Sequence, residues 1–250
     1  MTDVKGVIYR EVRLYLKQPF SALLALVTPL LYFFLFGVGM ARSGIVERDY
    51  LLFFLPGYAT LSLFSAVNGV VQGIFNERIG GMLNELLSCP VRVGAYVLAK
   101  LVFAASVAVM QTLVLIHGAF LLVPGIVSSD IGTRTVILLP LLFLGAMLIS
   151  SMIACIMAGI TNIRTFIVVA NIVNPTLTYA SSVFYPIESV PRWLQVLAQI
   201  NPLTWCVELV RAVLLMEGGI LIPLGRVAVG VLILAPAAVV LNRWRILHTT

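Results

Sequence analysis

Long apolar runs occupy residues 20–40, 50–75, 95–123, 135–160, 166–185 and 221–241, and the short stretches between them carry nearly all the charge. Each run is close to the ~20 residues that a helix needs to cross a ~30 Å hydrocarbon core, so the pattern predicts about six crossings. Barrel strands of ~10 residues alternate apolar and polar positions, and these runs do not, which speaks against a β-barrel. The first run ends at Gly39-Met40-Ala41, a faint cleavage-site pattern. Its apolar stretch is longer than the roughly 7 to 15 residues of a signal core, so it is read as a retained helix.

Three segments between or beside the runs have a pattern of their own. Over 1–19, Val4, Val7, Ile8, Val12 and Tyr15 share one helical face and Arg10, Arg13 and Lys17 lie opposite, with Glu11 out of pattern. This is either an amphipathic helix on the membrane surface or a basic topogenic tail. Over 77–90, a helix would place Ile79, Met82, Leu83, Leu86 and Leu87 on one arc and Glu77, Asn84 and Glu85 on the other, weakened at Gly80-Gly81 and stopped before Pro90. Such a helix either docks in a partner's groove or rests on lipid headgroups. The third segment, 186–220, is too long for a minimal hairpin and too apolar for a solvated loop. Asn201 caps a helix whose first turn holds Pro202, and Gly218-Gly219 stops it. At 1.5 Å per residue a helix over 203–216 reaches only ~21 Å, too short to cross. With the Trp193-containing stretch before it, this predicts a helical hairpin dipping in from the outer face, or an outer amphipathic loop lying flat. Glu208 and Arg211, three residues apart, are placed to pair.

Composition agrees with the runs. Apolar residues make up 61% of the 250 and charged residues 10%, too little polar surface to cover a water-soluble globule. An even number of crossings puts both termini on one side, which carries Lys5, Arg10, Arg13, Lys17, Arg78, Arg92, Lys100, Arg164, Arg243 and Arg245. Arg42, Arg48, Arg134, Arg192, Arg211 and Arg226 face the other side, so both termini are expected in the cytoplasm. The net charge of +6 follows from this asymmetry and is no sign of nucleic-acid binding.

Candidate chemistry is sparse. No Asp or Glu falls deep in a run, and Lys100 and Arg226 lie near run ends, where long side chains are expected to snorkel. His117 has no second histidine or carboxylate at helical spacing, and Cys89, Cys155 and Cys206 have no metal-ligand spacing. A phosphate loop needs glycine before its lysine, and Lys5, Lys17 and Lys100 follow Val4, Leu16 and Ala99. Energy for any work must come from another polypeptide. These absences separate a transport subunit from a six-span intramembrane enzyme, and they disfavour an ion-coupled secondary carrier.

The amphipathic start, the apolar runs, the segment Glu77-Arg78-x-x-Gly81-x-x-x-Glu85-Leu86-Leu87-x-x-Pro90-Val91, and Asn201-Pro202-Leu203-Thr204 followed by Arg211 resemble the type-2 ABC exporter permeases. Met82 and Leu83 stand where small or polar residues are commoner in that family, which blurs the subfamily. The resemblance covers essentially the whole chain. It implies one all-α integral membrane domain over 1–250: an interfacial helix at 1–19, spans 1 to 5 over 20–185, outer re-entrant helices at 186–219, span 6 at 220–242 and a cytoplasmic tail at 243–250. It further implies a cell (inner) membrane exporter of drugs or of amphipathic or glycosylated cargo, built from two permease copies, or a close heterodimer, with two ATP-binding cassette subunits. ATP and Mg are expected on that partner, with no cofactor on this chain. Glu77, Arg78, Leu83, Glu85, Leu86 and Pro90 would form the coupling helix, and Asn201, Pro202, Glu208 and Arg211 would belong to the outer re-entrant helix.

Two polar stripes complete the expectation. Asn171, Asn174, Thr178, Ser182 and Tyr185 share one arc of the fifth span, where Pro175 frees a carbonyl. Ser65, Asn68 and Gln72 do the same on the second, flanked by Gly69 and Gly73 in a spacing that lets helices approach closely. They either line a translocation path between two protomers or are interhelical glue, each bond giving about 0.6 kcal/mol.

Overall fold

The computed structural model describes residues 2–39, 50–80, 92–122, 131–216 and 219–249, and among these every regular element is helical. Helix α1 (Thr2–Leu16) is followed by α2 (Pro19–Tyr32), which continues as a π-helical turn, Phe33–Val38. Then come α3 (Tyr50–Ile79), α4 (Val93–Leu122), α5 (Ile131–Ala158) and α6 (Ile163–Tyr179). After a 3₁₀ turn at Ile187–Ser189, α7 (Arg192–Ile200), α8 (Pro202–Leu214) and α9 (Leu221–Thr249) complete the chain.

Among the described residues, four helices are long and apolar enough to cross a membrane: Tyr50–Ile79, Val93–Leu121, Gly132–Ala158 and Leu221–Ile246. The pair Val4–Leu16 and Pro19–Leu35, bent by 81°, adds a fifth crossing if the two count as one span. The bend falls at Gln18, whose φ of −116° and ψ of 60° leave the helical region, just before Pro19 at the first position of α2. The amphipathic helix therefore turns sharply into the first apolar run.

The run at 166–185 behaves differently from a full span. Its helix, α6, has 17 residues and reaches about 25 Å at 1.5 Å per residue. It ends at Tyr179 because the chain turns over 180–186, where the Ser181 hydroxyl donates to the Thr178 carbonyl (2.6 Å). At the other end, α9 runs on to Thr249, past the expected end of its span. No glycine or proline follows Pro236, and Ile246 is buried.

The core is built by α3, α4, α5 and α9, with α8 inserted among α3, α5 and α9. Eight residues of α8 are buried, from Leu203 to Leu214, so this helix is part of the bundle interior. Asn201 caps it as the sequence predicts: its Oδ1 accepts from the Leu203 amide (3.0 Å), and its Nδ2 also donates to the Leu177 carbonyl (2.7 Å), fastening the end of α6. The helix stops at Leu214 ahead of the glycine pair, with Met216 in the left-handed region at φ 56°. Preceding it, α7 buries only Ala198 and leaves Trp193, Val196, Leu197 and Ile200 exposed. Two arginines close helix ends: Arg134 donates to the Leu214 carbonyl of α8, and Arg78 donates to the Ile160 carbonyl and, at 3.4 Å, to that of Met157 at the end of α5.

Candidate functional site

The densest polar arrangement lies where α1 crosses the end of α3 and the start of α4. Lys100 is buried, 3% exposed, and its Nζ donates to Glu11 Oε2 at 2.8 Å and Glu77 Oε1 at 3.1 Å. Arg10 places Nη1 2.8 Å from Glu11 Oε1 and Nη2 3.2 Å from Glu77 Oε1. The Tyr96 hydroxyl donates to the remaining oxygen, Glu77 Oε2. Two carboxylates and two cations thus balance, and each carboxylate oxygen has a donor. Burial of either charge alone would cost several kcal/mol, so the set stands as a unit.

The structure corrects the expectations for Lys100 and Arg211 and accounts for the exception at Glu11. Lys100 does not snorkel to water; it is enclosed and paired. Glu11, the residue out of pattern on the amphipathic helix, sits on the buried side, facing Lys100. Arg226 is matched by Glu208 at 3.6 Å, while Arg211, the expected partner of Glu208, turns elsewhere: its Nη2 donates to the Ser182 carbonyl (3.1 Å) and its guanidinium lies 4.1 Å from the Phe53 ring centre. Burial pushes the Glu208 carboxyl up, with Arg226 and Arg211 pulling it back and Glu188 adding to the rise.

Of the coupling-segment residues, Glu77 and Arg78 have their side chains engaged inside the chain, the first in the ion network and the second on the α5 carbonyls and over the Phe75 ring at 5.1 Å. Leu83, Glu85, Leu86 and Pro90 lie outside the described residues, as does Cys89.

The polar stripe of α3 is split by the packing. Ser65 and Gly69 face a groove of about 760 Å³ between α2 and α3, floored by α4, with Glu11, Glu77 and Lys100 at one end and Ser21, Thr28 and Gln111 along its walls. Asn68 faces away, donating to the Phe64 carbonyl (3.3 Å), and shares a small gap beside α5 with Asn174. Gln72 is half-buried and lines neither. The glycines do not bring helices together: a Cβ on Gly69 would meet nothing within 4 Å, and one on Gly73 only the Lys100 Nζ at 3.7 Å. They widen the groove. On α6, Asn171 is exposed, Asn174 and Thr178 are half-buried, and Phe166, stacked on Phe75 with ring centres 4.4 Å apart, is the helix's one buried residue. Ser182 and Tyr185 lie beyond the helix, in the turn; Ser182 is buried, and the Tyr185 hydroxyl donates to the Tyr179 carbonyl.

A helical membrane bundle with an ion cluster at one end and a buried short helix limits the class of protein, and comparison with known proteins decides it. The model of the ABC-2 type transporter family matches residues 2–215. The chain belongs to that family. Among its relatives are proteins named putative transport permease ycf38 from Cyanophora paradoxa, 28% identical over 78% of this chain and 68% of the relative, and from Pyropia yezoensis, 24% identical over 82% and 72%. The inner membrane transport permease YadH of Escherichia coli strain K12 is 26% identical over 73% of this chain and 70% of its own. This ABC-2 chain is accordingly a multi-pass membrane protein and a membrane transport subunit. The ion network was not readable from the sequence, although Glu11 breaking an otherwise regular basic face was a signal for it.

Proposed function

We propose that this chain is the permease of an ATP-driven exporter, working as a dimer with two separate ATP-binding subunits and carrying an amphipathic, glycosylated or drug-like cargo outward by alternating access. Six crossings with both termini in the cytoplasm follow if the bent α1–α2 pair and the short α6 each count as one, with α7 and α8 as the outer re-entrant pair. The observation that carries the reading is the ion network. It fastens Glu77, the first residue of the coupling segment, to the interfacial helix and to α4, so a push on that segment reaches both sides of the groove lined by Ser65. The sparsely covered α6, with Asn171, Asn174 and Thr178 on its surface, suits a path completed by the second copy.

The docking test belongs on Glu85, since Glu77 is committed internally. Glu85→Lys together with Leu86→Asp is expected to abolish transport and co-purification of the ATP-binding subunit while membrane insertion persists. Retained binding of that subunit would mean that the segment rests on lipid instead.

Topology is checked by impermeant thiol labelling. Native Cys206 is a poor reporter: it is 2% exposed, and burial pushes its thiol up to about 12. In a Cys89→Ser background, Gln199→Cys, on the exposed side of α7, should label in intact cells, and Lys5→Cys, exposed on α1, only after the cytoplasmic face is opened. Labelling of both from one side would overturn the even number of crossings.

A further inference from the structure

Five of the chain's eight tyrosines converge on a single pocket at the end of the bundle away from the ion network. Tyr32 comes from α2, Tyr50 and Tyr58 from α3, Tyr179 from the end of α6 and Tyr185 from the turn after it. Two phenylalanines and one leucine complete a lining in which no residue is charged. The volume, about 560 Å³, falls in the range of small-molecule sites.

The Tyr50 and Tyr58 rings are buttressed from within the chain. Phe54 is fully buried at the centre, 5.6 Å from the Tyr50 ring and 5.3 Å from that of Tyr58, centre to centre. Phe33, the first residue of the π-helical turn, stacks on Phe54 at 6.0 Å and lies 6.0 Å from Tyr58. That turn is an independent mark of the place, because π-helical turns cost hydrogen-bond geometry and cluster at functional sites. It buries Phe33 as a buttress while leaving the neighbouring Tyr32 ring 58% exposed on the pocket side.

We propose that this pocket binds a bulky, weakly hydrated organic cation of the quaternary ammonium class. Aromatic faces carry negative electrostatic potential, and several faces around one centre attract a cation most when it sheds little water on entering. No lining residue supplies a positive charge to repel such a ligand or a carboxylate to select a small hydrated one. A sugar would need fixed partners for most of its hydroxyls, and the Tyr185 hydroxyl is already taken by the Tyr179 carbonyl. The chain itself holds one cation on a ring in the same region, the Arg211 guanidinium over Phe53.

That the pocket serves cargo rests on the exporter reading; binding itself does not, so it is measured on the purified full-length chain in nanodiscs without the ATP-binding subunit. The probes are benzyltrimethylammonium and its neutral carbon isostere neopentylbenzene, compared by competition against a labelled quaternary ammonium ion. The cation is expected to bind at least about ten-fold more tightly than the isostere. Tyr32→Leu and Tyr179→Leu, both at rings more than half exposed, should each weaken it roughly three- to thirty-fold, while Tyr58→Phe, which keeps the face, changes it little. Equal affinity for the neutral isostere, no saturable binding of the cation, or competition by a methyl glycoside alone would overturn the proposal. The wild-type comparison needs no variant to fold. Loss of ATP-driven transport with cation binding intact would count against the exporter reading alone.

Discussion

Lys100→Met is expected to destabilise the protein by about 3–5 kcal/mol, the usual cost of removing one partner from a buried ion pair. A methionine fills the same volume, so the loss is electrostatic: Glu11 and Glu77 would share the single, partly exposed cation of Arg10 at the largely buried end of the groove. If Lys100 merely reached the interface, the same change would cost no more than about 1 kcal/mol. Thermal unfolding in detergent micelles separates the two. A second variant isolates the cause. Glu11→Gln with Lys100→Met leaves Arg10 opposite Glu77, a balanced pair, and should recover more than 1 kcal/mol relative to the sum of the two single changes. Additive losses would show that the four groups do not act together.

Gly57→Ala should also destabilise the protein, less severely and for a steric reason. A Cβ there would lie 2.4 Å from the carbonyl oxygen of Val183 and 3.0 Å from its Cα, and backbone cannot step aside as a side-chain tip can. The turn after α6 must move off α3, at a cost of about 1–3 kcal/mol. The Phe54 and Phe184 rings, 6.3 Å apart across that contact, would separate. Gly69→Ala is the control on the same helix: its Cβ meets nothing within 4 Å, and alanine favours the helix by up to about 1 kcal/mol. Melting temperatures should therefore fall for the first and hold or rise for the second. Equal behaviour would mean that α3 and the turn do not touch as described.

The long helices and the Asn201 cap were legible because each depends on residues near one another in sequence. Hydropathy marks α3, α4, α5 and α9, and Asn201-Pro202 marks the start of α8. Helix α1 was readable as a helix with Val7 inside, but Val12 of the expected apolar face is exposed and Glu11 is buried instead. What escaped was pairing at a distance. Lys100 lies 89 residues from Glu11 and 23 from Glu77, so at the sequence level each looks like an isolated charge near a helix end. Polar stripes were visible on α3, but the partner of each face was not: Ser65 opens onto a groove and Asn68 onto α5 and α6, although both belong to one arc of the wheel. The fifth run was overextended because Ser181 and Ser182, which end α6, are compatible with a membrane helix by hydropathy alone.

The ion network also imposes an order on biosynthesis. Glu11 leaves the ribosome long before either Glu77 or Lys100, and until α4 has been made the chain holds two carboxylates and a single cation for this site. Helix α1, made before α3 and α4, is thus fixed only after them. A nascent chain arrested before residue 100 should keep α1 open to proteases or impermeant labels, and protection should appear only once α4 has emerged and entered the bilayer.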